Sequence, residues 1–171
     1  MADRAREGGC GCGHVRYRVA GEPIFVNNCH CTQCQHQTGG TGVVNAFFEA
    51  ERIELTAGSL TEHGVKGGSG GPHVIVRCGQ CGVAVWSFYP RLGKLGAGVR
   101  VGTFDDTNAF RPDAVVWVSE KMPWVPLPEG IPAFAQYYNP KELLTQEKWA
   151  RMAALAERKE SLGDADHGRT R

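Results

Sequence analysis

The chain has 171 residues, of which 42% are hydrophobic and 22% charged, so it is sized for one domain with a packed core. Nineteen Lys and Arg residues against eighteen Asp and Glu residues leave a formal charge of +1, and this balance argues against a dedicated nucleic-acid-binding protein. The longest apolar run, residues 114–118, is far shorter than a membrane span, and residues 1–7 contain no stretch typical of a secretory signal. We therefore expect a cytoplasmic protein without nucleic-acid or membrane partners.

Short stretches of alternating or β-branched residues predict a mainly β core. Residues 1–8 are small and charged, and we expect them to be disordered. Val15, Tyr17 and Val19 alternate with polar residues, which predicts a strand over residues 14–19. Further strands are predicted over residues 24–26, 43–48, 53–56, 73–77, 83–89, 98–102 and 115–118. Glycine and proline separate most of them, so the fold class is predicted to be all-β.

Residues 64–72 (GVKGGSGGP) contain five glycines and are typical of a flexible connection between strands. A second interpretation is a loop whose backbone N–H groups approach an anionic ligand closely. A shorter glycine-rich stretch over residues 38–42 must form a turn.

The composition changes after residue 120. Four prolines punctuate an arm over residues 121–139, and Asn139 followed by Pro140 is typical of a helix start. We predict one amphipathic helix over residues 139–162. It follows a domain over residues 9–138 and precedes a disordered tail over residues 163–171. Six aromatic residues are expected in the core or at an interface rather than against a ligand: Trp86, Phe88, Tyr89, Trp117, Tyr137 and Tyr138.

Seven cysteines are the main indication of function. An odd number in a chain without an export signal is a poor disulfide framework, whereas clustered cysteines in the cytosol more often bind metal. Cys78 and Cys81 form a C-x-x-C-G knuckle, and Cys10 and Cys12 are flanked by glycines in a tighter version. In such a knuckle glycine permits the positive φ that directs backbone N–H groups at the thiolates. Together the two pairs could hold a structural zinc with four ligands.

The other three cysteines, Cys29, Cys31 and Cys34, lie within six residues, which we expect to form a short loop around one ion. A zinc with three protein ligands and an open position is the catalytic pattern. Two alternatives stay open. A histidine could supply a fourth ligand and make the site structural, or the three cysteines could form an iron–sulfur or redox site. The candidate histidines are His30, His36, His63 and His73.

These motifs resemble the glutathione-dependent formaldehyde-activating enzyme family, also called the centromere protein V family. The resemblance extends over about residues 8–138 and uses all seven cysteines. It is carried by GCGHVRY at 11–17, CHCTQCQ at 29–35, TGG at 38–40, Ser69-Gly70, CGQCG at 78–82, GTFDD at 102–106, Arg111-Pro112, Trp117-Val118 and Pro123-Trp124. Arg77 departs from the aromatic residue that commonly precedes this knuckle.

The resemblance implies a β-tent-like fold with two zinc ions. Cys10, Cys12, Cys78 and Cys81 would hold the structural zinc, and Cys29, Cys31 and Cys34 the catalytic one. The implied reaction joins glutathione to formaldehyde, giving S-hydroxymethylglutathione, and is classed with the carbon–sulfur lyases. Backbone N–H groups of residues 38–40 or 67–70 are candidates for binding glutathione. Gln33, Gln35 and the N–H groups of the glycine-rich loop are candidates for stabilising the developing alkoxide. The predicted substrate-binding residues are Gln35, Thr38, Gly39, Gly40, Ser69 and Gly70.

The first hypothesis is therefore an enzyme that uses glutathione or another small thiol and a small aldehyde. This enzyme could form a homodimer. The second is a zinc-stabilised binding module whose work is done by the aromatic and proline-rich arm around Trp124 and by the C-terminal helix. A third, a different thiol-dependent reaction at the same zinc, fits the residues equally well.

Overall fold

The computed structural model describes residues 5–67 and 71–167, which form ten strands and three α-helices. The strands are β1 Arg6–Gly9, β2 Arg16–Val19, β3 Phe25–Cys29, β4 Val43–Glu49, β5 Ile53–Ala57, β6 Leu60–Lys66, β7 Pro72–Cys78, β8 Ala84–Phe88, β9 Gly96–Arg100 and β10 Ala114–Val116. The helices are α1 Thr32–Thr38, α2 Pro140–Leu143 and α3 Gln146–His167. The mainly β fold with a C-terminal helix agrees with the predicted fold class at that level.

The strands form two sheets. The smaller sheet has the order β1-β2-β5 and is antiparallel. The larger sheet has the order β10-β3-β4-β9-β8-β7-β6, in which only the β10–β3 pair is parallel within the described residues. The strand β4 therefore lies near its centre, between β3 and β9.

The larger sheet has a hydrophobic core on each face, as the alternation along β4 shows. Ala46 and Phe48 belong to a core with β2 residues such as Tyr17, whereas Phe47 belongs to a second core with Met152 of α3. Successive strand residues point to opposite faces, so β4 contributes to both cores. The C-terminal helix covers the second core and the cysteine-bearing segment that follows β3.

Helix α3 is attached to the sheet by an ion pair as well as by apolar contacts. Arg151 donates from Nε to Glu49 Oε1 at 2.8 Å and from Nη2 to Glu49 Oε2 at 2.7 Å. Burial alone would raise the pKa of Glu49, but the hydrogen bonds and charge of Arg151 outweigh it and lower that pKa. None of the helices within the described ranges is long and apolar enough to cross a membrane.

Several expectations about the ends of the chain need correction. Residues 6–9 form β1 because their backbone pairs with β2, although residues 1–8 were expected to be disordered; residues 1–4 lie outside the described part. The predicted single C-terminal helix is two helices, since Leu144 is extended (φ −79°, ψ 148°) and Thr145 Oγ1 accepts a hydrogen bond from Lys148 N. Helix α3 also continues through residues 163–167 of the expected tail, and residues 168–171 are not described.

Part of the segment over residues 64–72 that was predicted to be flexible is strand in the structure. Strand β6 continues through Lys66 and β7 begins at Pro72, and Gly67 N donates to Gly71 O at 2.9 Å. Ser69 and Gly70, two of the predicted substrate-binding residues, lie outside the described residues.

Candidate active site and metal centres

The first candidate metal centre is a four-cysteine cluster of Cys10, Cys12, Cys78 and Cys81. All four sulfur atoms lie within 4.8 Å of one another. Cys10 and Cys12 come from the turn between β1 and β2, and the other two come from the turn between β7 and β8. The cluster thus joins the smaller sheet to the larger one and could hold a metal ion.

The two turns have matching backbone geometry. In the first, Gly13 N donates to Cys10 O at 3.1 Å and Cys10 N donates to Val15 O at 3.1 Å; in the second, Gly82 N donates to Cys78 O at 3.0 Å and Cys78 N donates to Val83 O at 2.9 Å. Gly13 and Gly82 have φ values of +78° and +76°, which confirms the predicted positive φ after the second cysteine. Backbone N–H groups reach the sulfurs, as in Val15 N to Cys10 Sγ at 3.2 Å.

The second candidate centre is a three-cysteine cluster of Cys29, Cys31 and Cys34. Their sulfurs also lie within 4.8 Å of one another, and Cys29 and Cys34 are buried. Cys29 ends β3, Cys31 is the N-cap of α1, and Cys34 lies in the first turn of that helix. The expected short loop is therefore a strand end followed by a helix start, and Cys34 N donates to Cys31 Sγ at 3.4 Å.

Contacts at both ends of α1 hold the three-cysteine cluster in place. Glu120 Oε2 accepts hydrogen bonds from Thr32 N and Thr32 Oγ1, both at 2.6 Å, at the helix N-terminus where an anion is favoured. Gly39 ends the helix with φ +65°, and its N–H donates to Gln35 O at 2.8 Å. Glycine is suited to this left-handed C-cap position because it has no Cβ.

The cysteine thiols of this cluster differ in pKa. Hydrogen bonds from Cys29, and then from Cys34, lower the pKa of Cys31, whereas hydrogen bonding to its cysteine neighbours and burial raise the pKa of Cys29. The thiolate form is therefore favoured more at Cys31 than at Cys29. Soft thiolate donors grouped in this way suit zinc and similar thiophilic ions, so the donor set fits such a metal.

The three-cysteine cluster includes no histidine, aspartate or glutamate among the described residues. His30 Nδ1 donates to Thr41 O at 2.8 Å, and His36 and His63 are exposed. His73 is buried nearby but is not part of the cluster. The described residues therefore offer three ligands here, in line with the three-ligand interpretation rather than with a histidine-closed site.

A cavity of about 480 Å³ opens at the three-cysteine cluster. All three cysteines line it, together with Thr32 and Gln33 of α1. The other walls come from strands β3, β4 and β7, from the turn after β8, from the segment after β10 and from the C-terminal region. They comprise Phe25, Asn27, Asn45, Phe47, Gly67, His73, Tyr89, Pro90, Arg91, Leu92, Gly96, Trp117, Glu120, Tyr137 and Met152.

Buried polar residues follow the cavity side of the larger sheet, and we call them the polar row: Asn27, Asn45, Ser87, Arg100 and His73. Asn45 Nδ2 donates to Asn27 Oδ1 at 3.2 Å, which links neighbouring strands β3 and β4. Most of this row was not predicted from the sequence. A signal was present, because Asn27, Asn45 and Arg100 interrupt otherwise apolar β strands at positions that a sheet with two covered faces must bury.

Arg100 is the charged member of the polar row and is 5% exposed. Its Nη2 donates to Gln37 Oε1 at 2.8 Å and to Ser87 Oγ at 2.7 Å, and its Nη1 donates to Asn45 Oδ1 and to Tyr89 OH. Hydrogen bonding from Cys29 and the charge of Arg100 lower the pKa of Cys34, but hydrogen bonding and charge from Cys31 together with burial outweigh them, so this pKa is raised. A buried cation is costly unless its donors are satisfied, and the four neutral acceptors satisfy the Arg100 guanidinium here.

The predicted substrate-binding residues on α1 have local roles. Gln35 Nε2 donates to His30 O at 2.6 Å and to Glu120 O at 2.9 Å, and Thr38 Oγ1 donates to Cys34 O at 3.0 Å. Gly40 N donates back to Thr38 Oγ1 at 3.2 Å. None of Gln35, Thr38, Gly39 and Gly40 lines the cavity, whereas Gln33, a candidate donor to the alkoxide, does.

Five of the six aromatic residues lie in or against the two cores, as predicted: Trp86 and Tyr138 are buried in them, and Phe88, Tyr89 and Trp117 pack against them. Tyr89 and Trp117 also line the cavity, as does Tyr137, which is 43% exposed. Trp117 has φ 59°, a left-handed conformation that is costly for a residue with a Cβ. Its N–H donates to Gln136 O at 2.7 Å, which connects this conformation to the C-terminal arm.

Comparisons with known proteins show which proteins this chain resembles. Residues 5–120 match the family described as glutathione-dependent formaldehyde-activating enzyme. A relative from Halomonas elongata, named for the same activity, is 32% identical over 93 residues, which cover 52% of this chain and 59% of that protein. The match therefore spans about three-fifths of the relative's length. A crystal structure of a Rhodobacter sphaeroides protein has 21% identity and a TM-score of 0.45, and covers 58% of this chain and 88% of that one. Because the family match includes all seven cysteines and most of the chain, the chain belongs to the glutathione-dependent formaldehyde-activating enzyme family.

Proposed function

We propose that the chain is a zinc-dependent enzyme of the carbon–sulfur lyase type, which joins a thiol such as glutathione to a small aldehyde. One observation carries the proposal: three cysteine sulfurs, with no other protein ligand among the described residues, lie at the end of a cavity. The family and the name of the Halomonas elongata relative support glutathione and formaldehyde as the substrates.

The donor sets favour a structural and a catalytic metal. Cys10, Cys12, Cys78 and Cys81 would hold a Zn²⁺ with four ligands, whereas Cys29, Cys31 and Cys34 would hold one with a free position. When bound there, Zn²⁺ supplies a Lewis acid that lowers the pKa of a coordinated thiol from about 8.5 and makes it a thiolate at neutral pH. The paired knuckles and the two sheets also support the β-tent-like architecture expected from the family.

The chain's own residues would prepare the site for an anionic sulfur. The buried charge of Arg100 acts on Cys34 and partly offsets the effects of Cys31 and of burial that raise the pKa of this thiol. The exposed Arg91 guanidinium at the cavity can attract a glutathione carboxylate, and exposed Glu120 can attract its ammonium group. The Gly39 and Gly40 N–H groups already donate to Gln35 O and Thr38 Oγ1, and neither residue lines the cavity, so we do not assign them to the second carboxylate.

Further features of the proposal follow from the same residues. Free thiols serving as metal ligands are typical of a reducing compartment, which favours a cytoplasmic location. A homodimer stays a prediction.

A non-catalytic binding module is the second candidate function. It is favoured by Trp124 on the proline-rich arm, which is 72% exposed. A different thiol-dependent reaction at the same three cysteines is the third.

Cobalt substitution separates the enzyme from the binding module. We expect two metal ions per chain and a change in the visible spectrum of one of them when glutathione is added, because only the three-cysteine cluster has room for a new sulfur ligand. Spectra that ignore glutathione would contradict the enzyme proposal and support the module.

Exchange NMR with glutathione and formaldehyde tests the reaction itself. The wild-type protein should accelerate formation and breakdown of the adduct. Cys31→Ser should remove this acceleration and one metal ion. Gln80→Ser, an exposed change between Cys78 and Cys81, should leave both unchanged. Acceleration that survives Cys31→Ser would remove the proposed mechanism.

A further inference from the structure

The cavity is much larger than formaldehyde requires. Its volume is about 480 Å³, whereas a cavity of about 150 Å³ already holds a benzene molecule. Formaldehyde has a single carbon and a single oxygen atom, so it would leave most of the space unused. The volume fits the cysteine portion of a thiol substrate together with a ring.

Beside the buried polar residues Asn27, Asn45 and His73, much of the cavity wall is apolar and aromatic. Phe25 and Phe47 stack with ring centroids 4.2 Å apart, and Leu92 and Met152 are buried in the same core. Trp117 adds a further ring. Burial of an apolar ring against such walls is favourable in proportion to its area, whereas a small hydrophilic aldehyde gains little from them. The lining therefore suits a ring-bearing apolar compound.

One buried side chain in the cavity lacks a hydrogen-bond partner. His73 is 1% exposed, and neither of its ring nitrogens has a partner among the described residues. Its ring stacks on Tyr89 with centroids 4.4 Å apart, which fixes the plane of the imidazole. An unpaired buried polar group is costly, so the His73 N–H is placed to donate to an oxygen atom of a ligand.

Part of the apolar wall comes from the segment after residue 120. Tyr137 precedes α2 and Met152 lies in α3, and both line the cavity. Both lie outside residues 5–120, the range matched by the family. The shape of this end of the cavity therefore reflects residues that the family match does not cover.

We propose that the cavity binds a ring-bearing apolar aldehyde whose carbonyl oxygen accepts a hydrogen bond from His73. This inference rests on the proposed function, in which a thiol is the nucleophile. The thiol sulfur forms a bond to the carbonyl carbon, and the π pair of the C=O bond moves to the oxygen. The oxygen takes up one proton in place of the one that the thiol lost, so a thiohemiacetal forms and nothing is oxidised or reduced. The His73 N–H stabilises the charge that develops on this oxygen.

Binding is tested first, without chemistry, on the full metal-loaded chain. Benzyl alcohol is titrated while the Met152 methyl resonance is followed by NMR, with methanol as the matched small alcohol. We expect a saturable shift with benzyl alcohol and at least tenfold weaker binding of methanol. Equal or absent responses to the two alcohols would overturn the proposal.

Exchange NMR then compares benzaldehyde with formaldehyde, each with glutathione. We expect kcat/KM for benzaldehyde to exceed that for formaldehyde by at least tenfold. Acceleration with formaldehyde alone would overturn this inference and leave the proposed function standing. Acceleration with neither aldehyde, while benzyl alcohol binds, would overturn the reaction proposed for both.

Three variants test the residues. Met152→Trp, which fills the cavity, and Tyr137→Ala, which removes part of the wall at a 43% exposed position, should each lower the benzaldehyde-to-formaldehyde ratio at least tenfold. Ala154→Trp, at an exposed position of α3, is the control and should leave the ratio unchanged.

His73→Phe keeps a ring against Tyr89 but removes the imidazole hydrogen-bond donor. It should lower kcat/KM for benzaldehyde 10-fold to 100-fold. An unchanged ratio in both wall variants, or full activity of His73→Phe, would overturn the proposal.

Discussion

Gly13 and Gly82 show how single residues determine the four-cysteine cluster. Each follows the second cysteine of its turn with a positive φ, and an added Cβ would meet no atom within 4 Å at either position. The requirement for glycine is therefore conformational rather than steric. Knuckle spacing is enough to predict this geometry, because a short turn that directs N–H groups at sulfur has few backbone solutions.

Gly82→Ala tests this requirement. We expect a loss of about 1–2 kcal/mol in the free energy of unfolding, the cost of a left-handed conformation for a residue with a Cβ. Gly11→Ala is the matched control, since its Cβ would meet only Val83 Cγ2 at 3.9 Å. Urea unfolding of the metal-loaded proteins measures both. Equal losses in the two variants would contradict the explanation.

His73 should make stability depend on pH. Burial, followed by the charge of Arg100, lowers the pKa of His73 to about 4 from 6.5. Between these values the unfolded chain binds a proton that the folded chain does not, so the free energy of unfolding should fall as the pH drops from 6.5 towards 4, by about 3 kcal/mol at most. Above pH 6.5 this contribution is constant.

Urea unfolding at several pH values measures this effect against His73→Phe. The variant should lack the contribution of His73 and lose less stability than the wild type between pH 6.5 and 4. Identical pH profiles would show that residue 73 does not titrate in this way.

At the scale of elements, apolar alternation predicted the strands that carry a buried face. Strands β2, β3, β4, β5, β7, β8, β9 and β10 all overlap predicted strands. The sequence did not predict β1 and β6, since Arg6–Gly9 is charged and glycine-rich and most of Leu60–Lys66 is exposed. These two edge strands form by pairing with a neighbour rather than through their own apolar pattern.

The cysteine ligands of the site could be predicted from the sequence, but the residues that line the cavity could not. Cysteine spacing identified the two knuckles and the three-cysteine segment, whereas the resemblance to the family implied that the two knuckles share one ion, and the structure brings those four sulfurs together. The polar row could not be assembled, because Asn27, Asn45 and Arg100 become neighbours only through the pairing of β3, β4 and β9. Single-sequence patterns do not specify which strands pair, so the cavity depends on tertiary structure.

The ion pair between Arg151 and Glu49 should contribute to the attachment of α3. Arg151→Met keeps most of the aliphatic side chain but leaves Glu49, whose side chain is 12% exposed, without its bidentate partner. We expect a loss of about 1–3 kcal/mol in the free energy of unfolding. Arg158→Met is the control, because Arg158 pairs with Glu51 where both side chains are more than half exposed, and it should cost less than about 1 kcal/mol. Equal effects would contradict this assignment.

For the whole molecule, the two cysteine clusters differ in what they connect. The four-cysteine cluster joins turns from different sheets, with Cys12 and Cys78 separated by 66 positions in the sequence, whereas the three-cysteine cluster spans residues 29–34 only. A link that closes a long stretch of chain removes more freedom from the unfolded state than a link that closes a short one. The two proposed metals should therefore contribute unequally to stability.

Cys81→Ser and Cys31→Ser provide the comparison. We expect Cys81→Ser to lower the free energy of unfolding by at least about 2 kcal/mol more than Cys31→Ser, because it removes the longer link. Hydrogen exchange should show lost protection in β1 and β2 for Cys81→Ser alone. A larger loss for Cys31→Ser would contradict the division into a structural and a catalytic centre.

The wall formed by Tyr137 and Met152 has an evolutionary consequence. Both cysteine clusters lie within residues 5–120, whereas these two side chains follow that range. Mutations in the final third of the chain can therefore reshape the space around an incoming molecule while the sulfur ligands are inherited intact. Descendants of one ancestral protein could diverge in aldehyde selectivity by replacing the residues after 120, without any change in the cysteine ligands.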